Sequence, residues 1–389
     1  MLARRQFLST AALGAGAVFV APGVAFATVP TDRRFVFIIQ RGAADGLDIL
    51  RPTGDPAFAG LRGGLIGDAA GTKLDTMFTL HPALAEVAKM YGQGQALFVH
   101  AVASPYCDRS HFDGQNVLET GGAQPYAVRD GWLNRLVTML PRSSDEAIAI
   151  AATVPTALRG SVQVASFAPS ALPHAADDLM TRVTALYDAD PQLHPVWSAA
   201  LETKGLTADA SAGQDPASLG RLTASFLTKP NGPRVAMLET LGWDTHNAQK
   251  GRLANQLTNL DAMLAAMRDG LGPAWANTTV LVATEFGRTV AVNGTGGTDH
   301  GTGSVAMLVG GAVRGGRVVS DWPGLAPSKL YQTRDLRPTN ALDALIAGAA
   351  AESLALDPER VGAAYSPRRR VTVQCPDWSK FNSEKVVKC

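Results

Sequence analysis

Five short stretches of this sequence place acidic residues and histidines directly beyond an apolar run or in a glycine-containing turn. They are Asp45, the run Cys107-Asp108-Arg109-Ser110-His111, the run Asp244-Thr245-His246, the run Glu285-Phe286-Gly287-Arg288, and Asp299-His300. Asp244 and His246 are two apart, so in extended backbone both side chains leave one face and can grip one ion. Carboxylate with imidazole suits Zn²⁺ or Mn²⁺ better than a thiol-seeking metal. Glu285 follows a wholly apolar run, where a carboxylate needs a cation to offset its desolvation. That cation is either a metal or Arg288, three residues on, in an internal ion pair. Asp299 and His300 sit among glycines and threonines, in a loop shaped by backbone needs. The candidate metal ligands are therefore Asp244, His246, Glu285, Asp299 and His300, with Asp45 in the first of the five stretches.

A second group has the chemistry of a nucleophile and its helpers. Cys107, Arg109, Ser110 and His111 precede a helix expected over 112–119, closed by Gly121-Gly122. The positive end of that helix favours an anion or an activated hydroxyl or thiol. Ser110 is equally suited to be only its N-cap, and Cys107 to be a small buried hydrophobe. Arg109 and Arg288 are the candidates to steady an anionic substrate. His81 and His100 read as structural, and His174 and His194 carry no signal.

These residues need elements that bring them together. Phe35 to Gln40 is a continuous apolar run, read as a buried strand. A helix from Pro82 to about Tyr91 and a strand from Ala96 to Val102 follow. Further strands are expected at 147–152, 162–167, 235–241, 279–283 and 305–309. Helices are expected near 175–189, 216–228, 252–269 and 340–350. In the 252–269 helix, Leu253, Leu257, Leu260, Leu264 and Met267 form one apolar stripe, with Gly270 as the stop. Strands alternating with helices predict an α/β fold, a mostly parallel sheet with helices on both faces. In such sheets ligands bind at the carboxyl ends of the strands.

The chain opens with Arg4-Arg5-Gln6-Phe7-Leu8, an apolar stretch of small residues, and Ala25-Phe26-Ala27. This order reads as a cleaved signal peptide over 1–27. Interruptions at Gly14, Gly16, Pro22 and Gly23 argue against a permanent membrane span. The remaining chain of about 360 residues is ample for a large core. Lys and Arg total 35 against 34 Asp and Glu, a balance that speaks against nucleic acid or anionic membrane as a general partner. Of three cysteines, Cys375 and Cys389 lie in a tail over 371–389 and are close enough in sequence to close a short loop, leaving Cys107 odd.

The paired arginines resemble a twin-arginine signal, which implies export by the twin-arginine translocase to the periplasm or medium after folding. Together with Gly-Ala-Ala-Asp45-Gly-Leu-Asp, Arg109-Ser110-His111-Phe112, Gly242-Trp243-Asp244-Thr245-His246, Glu285-Phe286-Gly287-Arg288-Thr289 and Gly297-Thr298-Asp299-His300-Gly301, this start resembles the exported bacterial family labelled domain of unknown function 1501. That family is similar to the alkaline phosphatase and sulfatase superfamily. The resemblance implies one such domain over 28–370, with one or two divalent metals and a Ser, Thr or Cys-derived nucleophile. It puts Asp45 at the first-strand metal aspartate, Asp244 with His246 at a later Asp-and-His motif, Glu285 at the strand-end acid and His300 at the final metal histidine. Phe286 departs from the superfamily pattern, which has His there. Two readings of function follow: a metal-dependent hydrolase of small phosphate or sulfate esters, or a catalytically silent exported binding or assembly protein on the same scaffold.

Overall fold

A computed structural model describes residues 32–66, 70–141, 146–169, 177–188, 190–205 and 213–367. The signal peptide read over 1–27, and the tail with Cys375 and Cys389, lie outside these described residues.

The strands are β1 (Arg34–Gln40), β2 (Leu50–Arg51), β3 (Thr72–Lys73), β4 (Thr79–Leu80), β5 (Ala96–Ala103), β6 (Ala147–Ile150), β7 (Ala165–Ser166), β8 (Val235–Thr240), β9 (Thr278–Ala283), β10 (Ser304–Val309), β11 (Arg317–Val319) and β12 (Asn340–Ala341). The helices are α1 (Gly46–Ile49), α2 (Phe58–Arg62), α3 (Ala85–Gly92), α4 (His111–Thr120), α5 (Trp132–Val137), α6 (Asp177–Tyr187), α7 (Leu193–Gly205), α8 (Pro216–Thr228), α9 (Gln249–Leu271), α10 (Leu342–Leu354) and α11 (Pro358–Tyr365).

The main sheet runs β11-β5-β10-β9-β1-β8-β6-β7, with β12 also on β5, and a small second sheet runs β2-β4-β3. All seven residues of β1 are buried, because the strand is covered on both faces. Val36 and Ile38 point to a core that includes Leu222 and Phe226 of α8 and Leu253, Leu257, Leu260 and Leu264 of α9. Phe35, Phe37 and Ile39 point the other way, to Trp132 of α5 and Leu345 and Ile346 of α10. This alternation is the period of two along a strand. Each such large apolar side chain contributes about 1.5–3 kcal/mol by leaving water.

The sheet is α/β and mostly parallel, as expected, with one exception that matters. Strand β10 runs antiparallel to both of its neighbours, β9 and β5. Its first residue therefore lies at the rim where β1, β5, β8 and β9 end. Smaller differences have local causes. Helix α9 passes through Gly270 to Leu271 and stops at Gly272, whose φ of 51° leaves the helical region. Asn340 and Ala341 pair with β5 before α10 begins, and α3 begins at Ala85 because the His81 ring accepts the Ala83 N–H at 3.1 Å and holds a turn there.

Candidate metal centre

Beyond β5 the chain turns into α4, whose first residue is His111. Beyond β8 it presents Asp244 and His246, and just before β10 it presents His300. One ligand atom from each of His111, Asp244 and His300 falls within 4.8 Å of the others. His246 joins them: its Nε2 is 3.0 Å from Asp244 Oδ1 and 3.0 Å from His300 Nε2. The remaining edges are 3.3 Å from His300 Nε2 to Asp244 Oδ1 and 3.5 Å from His111 Nε2 to Asp244 Oδ2. Ions with metal–ligand bonds of about 2.0–2.1 Å in tetrahedral geometry hold their donors about 3.3 Å apart.

The other nitrogen of each ring is tied to an acceptor. His111 Nδ1 meets Glu285 Oε1 at 2.8 Å, His300 Nδ1 meets the Arg109 carbonyl at 2.9 Å, and His246 Nδ1 meets Asp299 Oδ1 at 3.1 Å. Carbonyls and carboxylates only accept, so each Nδ1 carries the hydrogen and each neutral ring offers a lone pair at Nε2. Nε2 of His111 is buried and makes no hydrogen bond. The His246 and His300 lone pairs face each other. Such an arrangement calls for a cation in its midst, and the outer acceptors are those that commonly orient metal-bound histidines. The donor set fits a divalent metal.

Local backbone serves this geometry. Arg109 holds a φ of 62°, unfavourable for a side-chain-bearing residue, and so turns its carbonyl to His300. A Cβ at Gly297 would lie 2.4 Å from the His246 carbonyl, and one at Gly301 2.4 Å from the Arg288 carbonyl. The glycines around His300 thus let its loop lie flat against the two segments it must meet. Phe286 stacks on His111 at 5.1 Å between centroids and also contacts His300 at 5.3 Å.

Electrostatics follow the same pattern. Burial opposes ionisation of Glu285, yet hydrogen bonds from His111, Gln115 and the Gly42 N–H keep its carboxyl below the usual range. The bond to Glu285 raises the His111 pKa. Burial lowers that of His300, aided by the charges of His111 and Arg288. Burial also opposes the Asp244 charge, but the Arg288 guanidinium, 2.6 Å away, holds its carboxyl low.

The sequence-derived candidates separate into distinct roles. Asp244, His246 and His300 come together, and His111, read from the sequence as a catalytic helper, stands among the donors. Glu285 and Asp299 bind histidines from behind. Arg288 pairs with Asp244 and not with Glu285. Asp45 is not among these donors: it is buried, caps α1, and pairs with Arg62 at 2.6 Å while accepting from Gln249 at 2.5 Å. Arg109 is held by Asp335 at 2.8 Å. Ser110 occupies the N-cap position of α4 without a side-chain capping bond. Cys107 is disulfide-bonded, and so is neither the odd cysteine nor a thiolate nucleophile. Arg62, Gln115, Gln249 and Asp335 escaped sequence reasoning, since their partners lie up to 228 positions away.

Residues 32–363 match the family model described as protein of unknown function (DUF1501). The chain belongs to that family. No curated protein matches it. Among solved structures, this DUF1501 chain is similar to the C-terminal periplasmic domain of EcEptC from Escherichia coli in complex with Zn, at 10% identity and a TM-score of 0.43, covering 93% of this chain and 94% of that one. It is also similar to the phosphonate monoester hydrolase of Agrobacterium radiobacter, at 11% identity and a TM-score of 0.31, covering 74% and 70%. Likeness at this level is distant, and what the site does must be decided by its own residues.

Proposed function

We propose that this protein is an exported, metal-dependent hydrolase of phosphate or sulfate esters, with one divalent ion on Nε2 of His111, His246 and His300 and on the Asp244 carboxylate. The observation that carries this reading is the set of three imidazoles whose Nδ1 hydrogens are committed elsewhere and whose Nε2 lone pairs converge on one carboxylate. An imidazole-rich set favours Zn²⁺ over Mn²⁺. A second ion finds little support, since Arg62 satisfies Asp45 and Phe286 puts an apolar ring beside His111 and His300.

When bound, such an ion polarises an ester oxygen and acidifies a hydroxyl or water. The chain's own groups set up the rest. Glu285, Asp299 and the Arg109 carbonyl fix which nitrogen of each histidine is bare. Arg288 fixes the Asp244 carboxylate. Ser110, one residue from His111 and free of a capping role, is the candidate nucleophile at the positive end of α4, with water as the alternative. The Arg4-Arg5 start supports export through the twin-arginine translocase in a folded state. Among the described residues no helix is long and apolar enough to cross a membrane.

A silent binding or assembly protein is the second reading. It is favoured by the internal neutralisation of Asp45 by Arg62 and by the hold of Arg288 on Asp244. Metal analysis of protein purified from the periplasm, with hydrolysis of p-nitrophenyl phosphate and sulfate, separates the two. Wild type should carry about one ion per chain, and Asp244→Asn and His300→Ala should lose both ion and turnover. Equal metal in wild type and both variants would sink the metallohydrolase, while a bound ion without turnover of either ester favours the binding protein.

A further inference from the structure

The Arg109 carbonyl stands behind the His300 ring only while the backbone of Arg109 keeps a φ of 62°, which is sterically unfavourable for a residue with a side chain. A loop free to relax would turn that carbonyl away from His300 Nδ1. The hold comes from a turn 226 positions along the chain. Asp335 is wholly buried. Its Oδ2 accepts Arg109 Nε at 3.0 Å and Arg109 Nη2 at 2.8 Å, and charge-assisted bonds of this kind are the strong ones.

The same carboxylate reaches the His300 loop. Thr302 Oγ1 donates to Oδ2 at 2.8 Å, and Arg334 Nε donates to Oδ1 at 2.9 Å while its Nη2 donates to the His300 carbonyl. The turn that carries Asp335 is itself tightly closed. Tyr331 and Asp335 exchange both backbone hydrogen bonds at 2.9 Å, and between them Gln332 and Thr333 hold φ values of 50° and 56°. Gln332 Oε1 accepts a further bond from Arg109 Nη2. Asp335 also bridges to Thr289, next to the bridge between Arg288 and His300. The turn thus grips both partners of one hydrogen bond: Arg109, which supplies the acceptor, and the backbone of His300, whose ring supplies the donor.

Which nitrogen of a neutral imidazole carries the hydrogen is set by the bond that the other nitrogen makes. With the Arg109 carbonyl in place the hydrogen sits on Nδ1, and Nε2 is bare. With the carbonyl turned away, the hydrogen is free to move to Nε2 and block it. Resting on the reading of the cluster as a metal site, we propose that Asp335 is a positioning residue: by holding the Arg109 side chain it keeps the Arg109 carbonyl on His300 Nδ1, and so keeps His300 Nε2 open to the ion. An ion pair that only supported the fold would leave the ring hydrogen where it is.

The test uses the full-length exported protein, isotope-labelled at histidine nitrogen, freed of metal with a chelator and held at about pH 8. There the His300 ring, its pKa lowered from 6.5 by burial, is neutral. Long-range proton–nitrogen NMR spectra, assigned with His300→Gln, report which ring nitrogen carries the hydrogen. Wild type should show the hydrogen on Nδ1 alone. Asp335→Asn and Arg109→Gly should each show a mixture of the two forms and bind Zn²⁺ about tenfold more weakly. Glycine takes the φ of residue 109 without steric cost, so Arg109→Gly loses the side-chain hold while sparing the backbone, and it decides the matter if Asp335→Asn does not fold. Asp261→Ala, which strips buried bonds from Glu86 and Val87 at the start of α3, controls for general loosening and should match wild type. A His300 ring that keeps its hydrogen on Nδ1 alone in Arg109→Gly overturns the proposal, as does an equal change in Asp261→Ala. Failure of the hydrolase reading shows separately, as wild type that binds no Zn²⁺ or that binds it without hydrolysing either ester, while the ring hydrogen still reports on Asp335.

Discussion

His246 and His300 present their Nε2 atoms to each other across 3.0 Å, each ring pinned from behind so that neither has a hydrogen to offer in its neutral form. A divalent ion between the two lone pairs would satisfy both rings at once. Calorimetric titration with Zn²⁺ should therefore show about one ion per chain in wild type, and His246→Ala should bind it at least about tenfold more weakly. Equal affinity in the two proteins would show that the pair is not the cation site.

Glu285 supplies the second prediction. Its bond to His111 Nδ1 raises the His111 pKa above the ordinary 6.5, and metal needs that ring neutral. Affinity should therefore be full at alkaline pH and fall as pH drops through the raised value, beginning above pH 6.5. Glu285→Gln should move the onset to lower pH and weaken binding about 10–100-fold by freeing the ring. An unshifted onset would mean that Glu285 only fills space.

Asp45 and Arg62 are both 1% exposed at the side chain, and their partnership is structural. Removing either partner from a buried pair typically costs about 3–5 kcal/mol. Asp45→Asn should accordingly lower the urea midpoint while leaving metal stoichiometry unchanged. Loss of the ion from a variant that remains folded would return Asp45 to the ligand set.

His100 makes the fold itself sensitive to acid. Its Nε2 meets the Leu50 carbonyl at 2.9 Å and its Nδ1 accepts the Ala101 N–H at 2.8 Å. The neutral ring is therefore fully satisfied, and a second proton would face a donor. Burial pushes its pKa from 6.5 down to about 4. A pKa lower in the folded state than in the unfolded one leaves its stability complete above pH 6.5 and lost progressively between 6.5 and about 4, amounting to about 3 kcal/mol. His100→Gln should show a shallower fall in denaturation midpoint across that window than wild type does.

What the sequence revealed, and what it hid, follows from the range of the interactions. The apolar runs at 35–40, 279–283 and 305–309 are local signals, and each became a strand. The stripe from Leu253 to Met267 is equally local. His300 was legible as a candidate donor among glycines and threonines, but what brings it to Asp244 was not. In an all-parallel sheet, a residue just before a strand lies at the amino-end rim, far from Asp244. It reaches the other rim because β10 runs backwards, and no residue within 304–309 announces direction. The fate of Asp45 was hidden in the same way. Arg62 lies 17 positions on and Gln249 204 positions on, and neither carries a pattern that links it to an aspartate after β1.

The reversed β10 also dictates when the site can exist. The donors at His111 and His300 reach one rim only after β10 has slotted between β5 and β9, which closes a loop of nearly two hundred residues between them. Contacts of that span are made late, because their entropy must be met before they return any stability. A chain still emerging from the ribosome, or one stalled with β10 undocked, holds at most the Asp244 and His246 half of the cluster. On the reading of the cluster as a metal site, tight capture would thus belong to the finished sheet alone, and a tightly held ion would mark a molecule whose central strand is in place.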